Sequence, residues 1–252
     1  RSEQCTREQC AGCRDCPFGR RRAALTEAQI VVANHDLLLR WPPDYPAFVH
    51  AIADEAHELA GVADEVYAQD VRPEEVLARI DEVFGRPKEA GSGSLLPGRE
   101  RRAARKDAIA WRRGVQQDLV ALGRAIAEKA DEFGVVQVPE SPGQDFMDAQ
   151  SVAEIAATRL DDLATAIEKM EPSEVENGAD GPLARATADL RGWASTLRVA
   201  LDGGGGDAVA AFDGLSPPWA EWRCVVRPIS PAAAFEEQFL SKLESLAGVS
   251  AS

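Results

Sequence analysis

The sequence predicts a mixed α/β chain in which strand-like runs near both ends flank a helical middle. Three observations carry that expectation. Short apolar runs stand at 28–33, 48–54, 222–227 and 248–252, and runs of this length between polar or turn residues read as buried strands. From 63 to 201, apolar residues recur at steps of three and four, the period of a helix that buries one stripe. The links between those periodic stretches are short and carry proline and glycine.

The first element is a cysteine cluster. Cys5, Cys10, Cys13 and Cys16 follow the spacing C-x4-C-x2-C-x2-C. Thiols this close can surround one soft metal centre, either tetrahedral zinc or an iron–sulfur cube, and spacing alone leaves both open. Nothing resembles a signal peptide and the segment reads as intracellular, which disfavours disulfides. Arg20, Arg21 and Arg22 follow directly. Residues 1–24 carry six arginines against three acids, while the chain as a whole has a net charge of −14. A basic patch on an acidic body suggests a local contact with a phosphate backbone; the plainer alternative is that the triplet caps a helix C-terminus.

The run Phe48-Val49-His50-Ala51-Ile52-Ala53 ends in Asp54-Glu55-Ala56-His57. An acidic pair at the C-terminal edge of a strand is where α/β nucleotide enzymes hold magnesium. There Asp54 would hold the ion through water, Glu55 would orient and deprotonate an attacking water, and His57 would couple this edge to its neighbours. The plainer alternative is a solvated helix start.

Four helices are expected next. Pro73-Glu74-Glu75 opens the first with proline and acid in its first turn, and Val76, Leu77, Ile80, Val83 and Phe84 form its apolar face. Gly85 to Glu100 reads as a loop. The second helix carries Ile109, Trp111, Val115, Leu119, Leu122 and Ile126. The third carries Val152, Ile155, Leu160, Leu163, Ile167 and Met170, and the fourth Leu183, Leu190, Trp193, Leu197 and Leu201. With Gly134 to Asp145 and Glu171 to Pro182 as turns, this pattern predicts an α-bundle. Trp111 and Trp193 read as core residues, although tryptophan can also stack on bases. Asp202 to Asp207, with four glycines, ends the last helix. Trp222 to Arg227 then reads as a strand with Cys224 as a small buried residue, Phe235 to Leu246 as a helix, and 248–252 as a strand. The four strand-like runs would form one sheet, with the bundle inserted between its strands. No stretch approaches the roughly twenty apolar residues of a membrane span.

The order of these pieces resembles one family. Cys16-Pro17-Phe18, then Ala28 to His35, then Ala53-Asp54-Glu55-Ala56-His57-Glu58-Leu59, and finally Pro228-Ile229-Ser230 and Gly248-Val249-Ser250-Ala251-Ser252 are similar to the iron–sulfur superfamily 2 helicases of the DinG/XPD type, the bacterial DinG branch above all. Both ends carry the resemblance; the middle matches in length and helical character. It implies the end of an iron–sulfur domain at 1–27 and RecA-like motor strands with the DEAH box at 28–62. A helical Arch domain would span 63–220, and 221–252 would return to the motor domain and end in motif III.

By the same resemblance Cys5, Cys10 and Cys16 would hold a [4Fe-4S] cluster, with the family's fourth ligand upstream and Cys13 either that ligand or a bystander. Asp54 would serve magnesium with ATP, Glu55 would be the base, and Ser250 and Ser252 would belong to the coupling motif. The implied activity is ATP-driven 5′-to-3′ movement along single-stranded DNA in a bacterial cytoplasm, at the nucleoid. No G-x-x-x-x-G-K-[ST] phosphate loop occurs in the sequence and no second motor domain follows. The expectation is therefore a segment of a helicase, completed by the other motor domains of its parent chain and inactive alone. The rival reading is a zinc-binding interaction module on a helical scaffold.

Overall fold

The computed structural model describes residues 17–42, 45–85, 94–96, 98–170 and 181–250. Cys5, Cys10, Cys13, Cys16 and Ser252 lie outside the described residues. In chain order the elements are α1 (Pro17–Glu27), α2 (His35–Leu39), β1 (His50–Ala53), α3 (Leu59–Val66), β2 (Gln69–Val71), α4 (Pro73–Phe84), α5 (Gly98–Ala127), β3 (Val136–Val138), α6 (Met147–Glu168), α7 (Pro182–Leu201), β4 (Ala208–Asp213), β5 (Arg223–Pro228), α8 (Ala232–Gln238) and β6 (Ser245–Gly248). The protein is mixed α/β, as expected. It divides into two compact units, one holding the chain up to Tyr67 and again from Ser230, the other Ala68–Ile229. The resemblance implies divisions at 62/63 and 220/221.

In the first unit β1 and β6 pair in parallel, His50 opposite Ser245 and Ala53 opposite Gly248. Leu39, Ala53, Leu59, Ala63 and Phe239 form a small core beside them. Two expectations are corrected here. Residues 28–33 form no strand: Ile30 and Val32 are 84% and 94% exposed, and no described backbone pairs with theirs. A strand needs a neighbour for its amide and carbonyl groups, and apolar character alone supplies none. A strand expected over 248–252 lies instead over Ser245–Gly248, with Val249 and Ser250 beyond its end and residues 251–252 outside the described residues, so Leu246 belongs to this strand and not to the preceding helix.

The second unit is not a bundle alone. Its helices pack in succession, α4 on α5, α5 on α6 and α6 on α7, and α7 also lies against a four-stranded sheet. That sheet has the order β2-β5-β4-β3 with every pair antiparallel. β5 therefore does not join β1, contrary to expectation. β4 and β5 are linked by a short connection, and strands so linked pair locally and antiparallel; a parallel pair needs a longer crossover. Trp222, Phe212 and Cys224 are fully buried on this sheet, the two rings 5.8 Å apart.

The helical stripes are largely as the periodicity predicts. Val76, Ile80, Leu119, Leu122, Leu160, Leu163, Leu190 and Leu197 are buried, and Trp111 and Trp193 pack half-buried against the same core. Ile109 and Ile155 are exposed instead, one step off their stripes. Ion pairs tie the helices together at the edges. Arg112 grips Asp81 with two bonds of 2.6 and 3.2 Å, joining α5 to α4, and Arg159 of α6 grips Asp118 of α5.

Candidate nucleotide site at the end of the parallel pair

Asp54 to His57 lie at the C-terminal end of β1, the edge predicted for them. Past Ala53 the chain turns sharply: Glu55 adopts φ 48° and ψ 46°, a left-handed conformation that side chains other than glycine and asparagine seldom take. The Glu55 amide donates to Asp54 Oδ1 at 3.0 Å, which fixes one acidic side chain by the backbone of the next. The turn then enters a 3-10 segment, Ala56–Glu58, that feeds α3.

The end of β6 is fastened onto this turn. Val249 N donates to Ala53 O at 2.8 Å, and Ala56 N donates to Val249 O at 2.9 Å. Gly248 permits the approach: a Cβ there would stand 3.0 Å from the Ala56 methyl group. Ser250 is thereby carried to His57, and Ser250 Oγ and His57 Nδ1 share a hydrogen bond of 2.9 Å. The same ring nitrogen lies 3.4 Å from Glu55 Oε2. So three of the predicted residues, Glu55, His57 and Ser250, form one connected group, with Asp54 beside it. Its side chains are half-buried or exposed, open to a ligand from solvent.

Sequence reasoning assigned no role to His35. Asn34 caps α2, its side chain accepting from Leu37 N at 2.9 Å, and this aims the next residue: His35 Nε2 donates to the Asp54 carbonyl at 2.8 Å. Asn34 before a short apolar run marks a helix start that puts His35 in the first turn, but nothing in the sequence marks the Asp54 carbonyl as its partner. A single carboxylate suffices for magnesium that also binds phosphates, and Asp54 with Glu55 supplies that donor chemistry. Among the described residues no group of three or more histidines, cysteines or acids comes together as a fuller metal cage. The four cysteines upstream are a soft donor set matched in number to an iron–sulfur cube, but they lie outside the described residues.

Arg20, Arg21 and Arg22 fall in the first two turns of α1, with the side chains of Arg20 and Arg21 exposed. The last turn of α1 holds no basic residue. The triplet is therefore not a C-terminal cap. The chain matches no model of a known protein family and no curated protein. Among the described residues no helix is long and apolar enough to cross a membrane.

Proposed function

We propose that this chain is the central segment of an ATP-dependent DNA helicase of the iron–sulfur, DinG/XPD type. The observation that carries the reading is the His57–Ser250 hydrogen bond at the carboxyl end of a parallel strand pair. It joins two motifs almost two hundred residues apart in sequence, the acidic one and the small-residue one, as a device coupling nucleotide state to movement requires. In this reading Asp54 holds magnesium with ATP, Glu55 takes the proton of the attacking water, and His57 with Ser250 relays the change at the phosphate to the end of β6. Ser252 completes the coupling motif.

The first unit would then be part of a RecA-like motor domain and Ala68–Ile229 its Arch insertion. A motor sheet also accounts for Ile52, 78% exposed on β1. Parallel sheets are covered on both faces, so the parent's remaining motor strands and helices would cover it. Cys5, Cys10 and Cys16, with Cys13 or an upstream cysteine, would hold a [4Fe-4S] cluster, and Arg20, Arg21 and Arg22 would meet the phosphates of single-stranded DNA beside it. The parent would work in the cytoplasm, at the nucleoid. Without a phosphate loop to position the triphosphate, this chain alone hydrolyses no ATP.

The parent protein provides the test. Glu55→Gln is expected to lower DNA-stimulated ATP turnover at least about a hundredfold while leaving single-stranded DNA binding intact, the size of effect seen for positioned proton acceptors. Iron and sulfide should be stoichiometric in anaerobic preparations. Unchanged turnover in Glu55→Gln overturns the catalytic assignment, and a colourless protein with stoichiometric zinc overturns the family reading in favour of an interaction module.

A further inference from the structure

Helix α5 is basic although the chain is acidic. It holds eight basic and three acidic residues in a protein of net charge −14. Helical spacing sorts its faces. Ala104, Ala108, Val115, Leu119, Leu122 and Ile126 are buried. Arg102, Lys106, Arg113, Gln117 and Arg124 are exposed and follow one another at four or seven residues, so they line the opposite face. The acidic Asp107 and Asp118 fall off that line, and Asp118 is engaged by Arg159. Arg102, Lys106 and Arg113 make no ion pair among the described residues. From Arg102 to Arg124 the ridge is about 33 Å long at the rise of an α-helix.

The ridge ends at an open groove of about 600 Å³ lined by Gln116, Gln117, Val120, Arg124, Glu128 and Trp219. The Arg124 guanidinium lies 5.6 Å from the centre of the Trp219 ring. The contact is built into the fold. A Cβ at Gly123 would stand 2.9 Å from Trp219 O and 2.5 Å from the Trp222 ring, so only glycine lets this loop rest on the helix. The buried Trp222 anchors it there, donating from Nε1 to Leu119 O at 3.0 Å. Trp219 itself sits at φ 59°, a conformation bulky residues rarely adopt and one that gathers at binding sites.

We propose that this ridge and groove bind single-stranded nucleic acid. Arg102, Lys106 and Arg113 meet successive phosphates, and one base stacks on the Trp219 indole beside Arg124, within reach of the Gln116 and Gln117 carboxamides. A row of cations that leads to an aromatic face is the arrangement by which single strands are held without sequence preference. A duplex keeps its bases stacked and could use only the cations. An acidic peptide would use the cations too, but has no planar ring for the groove. Its ligand is the strand that the helicase reading already names, and in that respect the inference rests on that reading and deepens it. The ridge requires neither ATP nor a metal cluster and lies in the other compact unit from Asp54, so the two fail separately.

The test is fluorescence anisotropy of the full chain with a labelled oligothymidylate of about 16 nucleotides, a length typical of single-strand sites. All proteins carry Arg20, Arg21 and Arg22 as Ala, so that binding reports the ridge alone. Arg102→Ala/Lys106→Ala/Arg113→Ala should weaken binding at least tenfold at low salt and lower the salt slope by up to about two units. Trp219→Leu should weaken it about fivefold or more and Trp219→Phe should restore most of the loss, with circular dichroism melts confirming that each variant folds. Oligouridylate in place of oligothymidylate tells DNA from RNA as the source of the strand. Binding unaffected by the triple substitution overturns the proposal. So does loss of binding in the triple variant with none in Trp219→Leu, or displacement of the oligonucleotide by polyglutamate as readily as by unlabelled strand, because either outcome leaves only unspecific attraction to polyanions.

Discussion

Cys224 faces Val71 across one strand pair and Phe212 across the other, with none of its surface exposed. Burial pushes its thiol far above the ordinary value, and the charges of Asp70 and Asp213 push it in the same direction. A folded-state value raised above the unfolded one adds stability that is complete below the unfolded value and is lost as pH climbs past it. Stability should therefore begin to fall near pH 9.0, the thiol's ordinary value, by up to about 1.4 kcal/mol per pH unit from this group. Denaturant melts between pH 8 and pH 10 measure the slope, and Cys224→Ala should remove this share of it; an equal alkaline slope in both proteins would assign the loss to other groups. This burial was legible in the sequence, because a lone cysteine inside a β-branched run has the composition of a core strand. The acidic turn was legible as well. His35 was not, since its part depends on a hydrogen bond to a main-chain carbonyl nineteen residues away, and no side-chain pattern marks an acceptor of that kind.

At the scale of elements, the turn between α7 and β4 carries the chain from the helix into the sheet. Gly203, Gly204, Gly205 and Gly206 all have positive φ, but their surroundings differ. A Cβ on Gly203 would stand 2.2 Å from Glu140 O, whereas nothing lies within 4 Å of one on Gly205. Gly205→Ala should then cost only the left-handed penalty of about 1–2 kcal/mol, and Gly203→Ala distinctly more because the backbone after β3 must also move. The expected result is a lower melting temperature for both, with Gly203→Ala lower than Gly205→Ala by at least about 3 °C. Equal melting temperatures would mean that the loop after β3 yields freely. The long helices could be read from the sequence because twenty or thirty residues repeat the 3.6 period many times. β2 and β3 could not, being three residues each, too short for an alternation to stand out from the links they occupy. The result was an expected bundle where helices and an antiparallel sheet share one core.

At the scale of the molecule, Ala68–Ile229 enters and leaves through neighbouring strands. Gln69 pairs with Val226 and Val71 with Cys224, so the unit's two ends lie side by side on one antiparallel pair. An insertion with adjacent ends asks little of the chain that hosts it, which is how such units are accommodated in other folds. Its core is also its own: from Val71 to Val226, the buried residues that touch one another all belong to this unit. The resemblance implies an insertion over 63–220, and the compact unit spans Ala68–Ile229. The apolar run 222–227 looks the same whether it pairs with β1 or with β4, and only the register distinguishes the two. Excised as residues 68–229, the unit should fold alone, since about 160 residues lie well within the range of independent domains. Its thermal unfolding should be one cooperative transition, and it should keep the oligothymidylate affinity of the Arg20→Ala/Arg21→Ala/Arg22→Ala chain within about threefold. A broad, non-cooperative melt would show that the first unit is needed to hold β2 and β5 together. A cooperative melt with binding lost would instead place part of the strand's path outside α5 and Trp219.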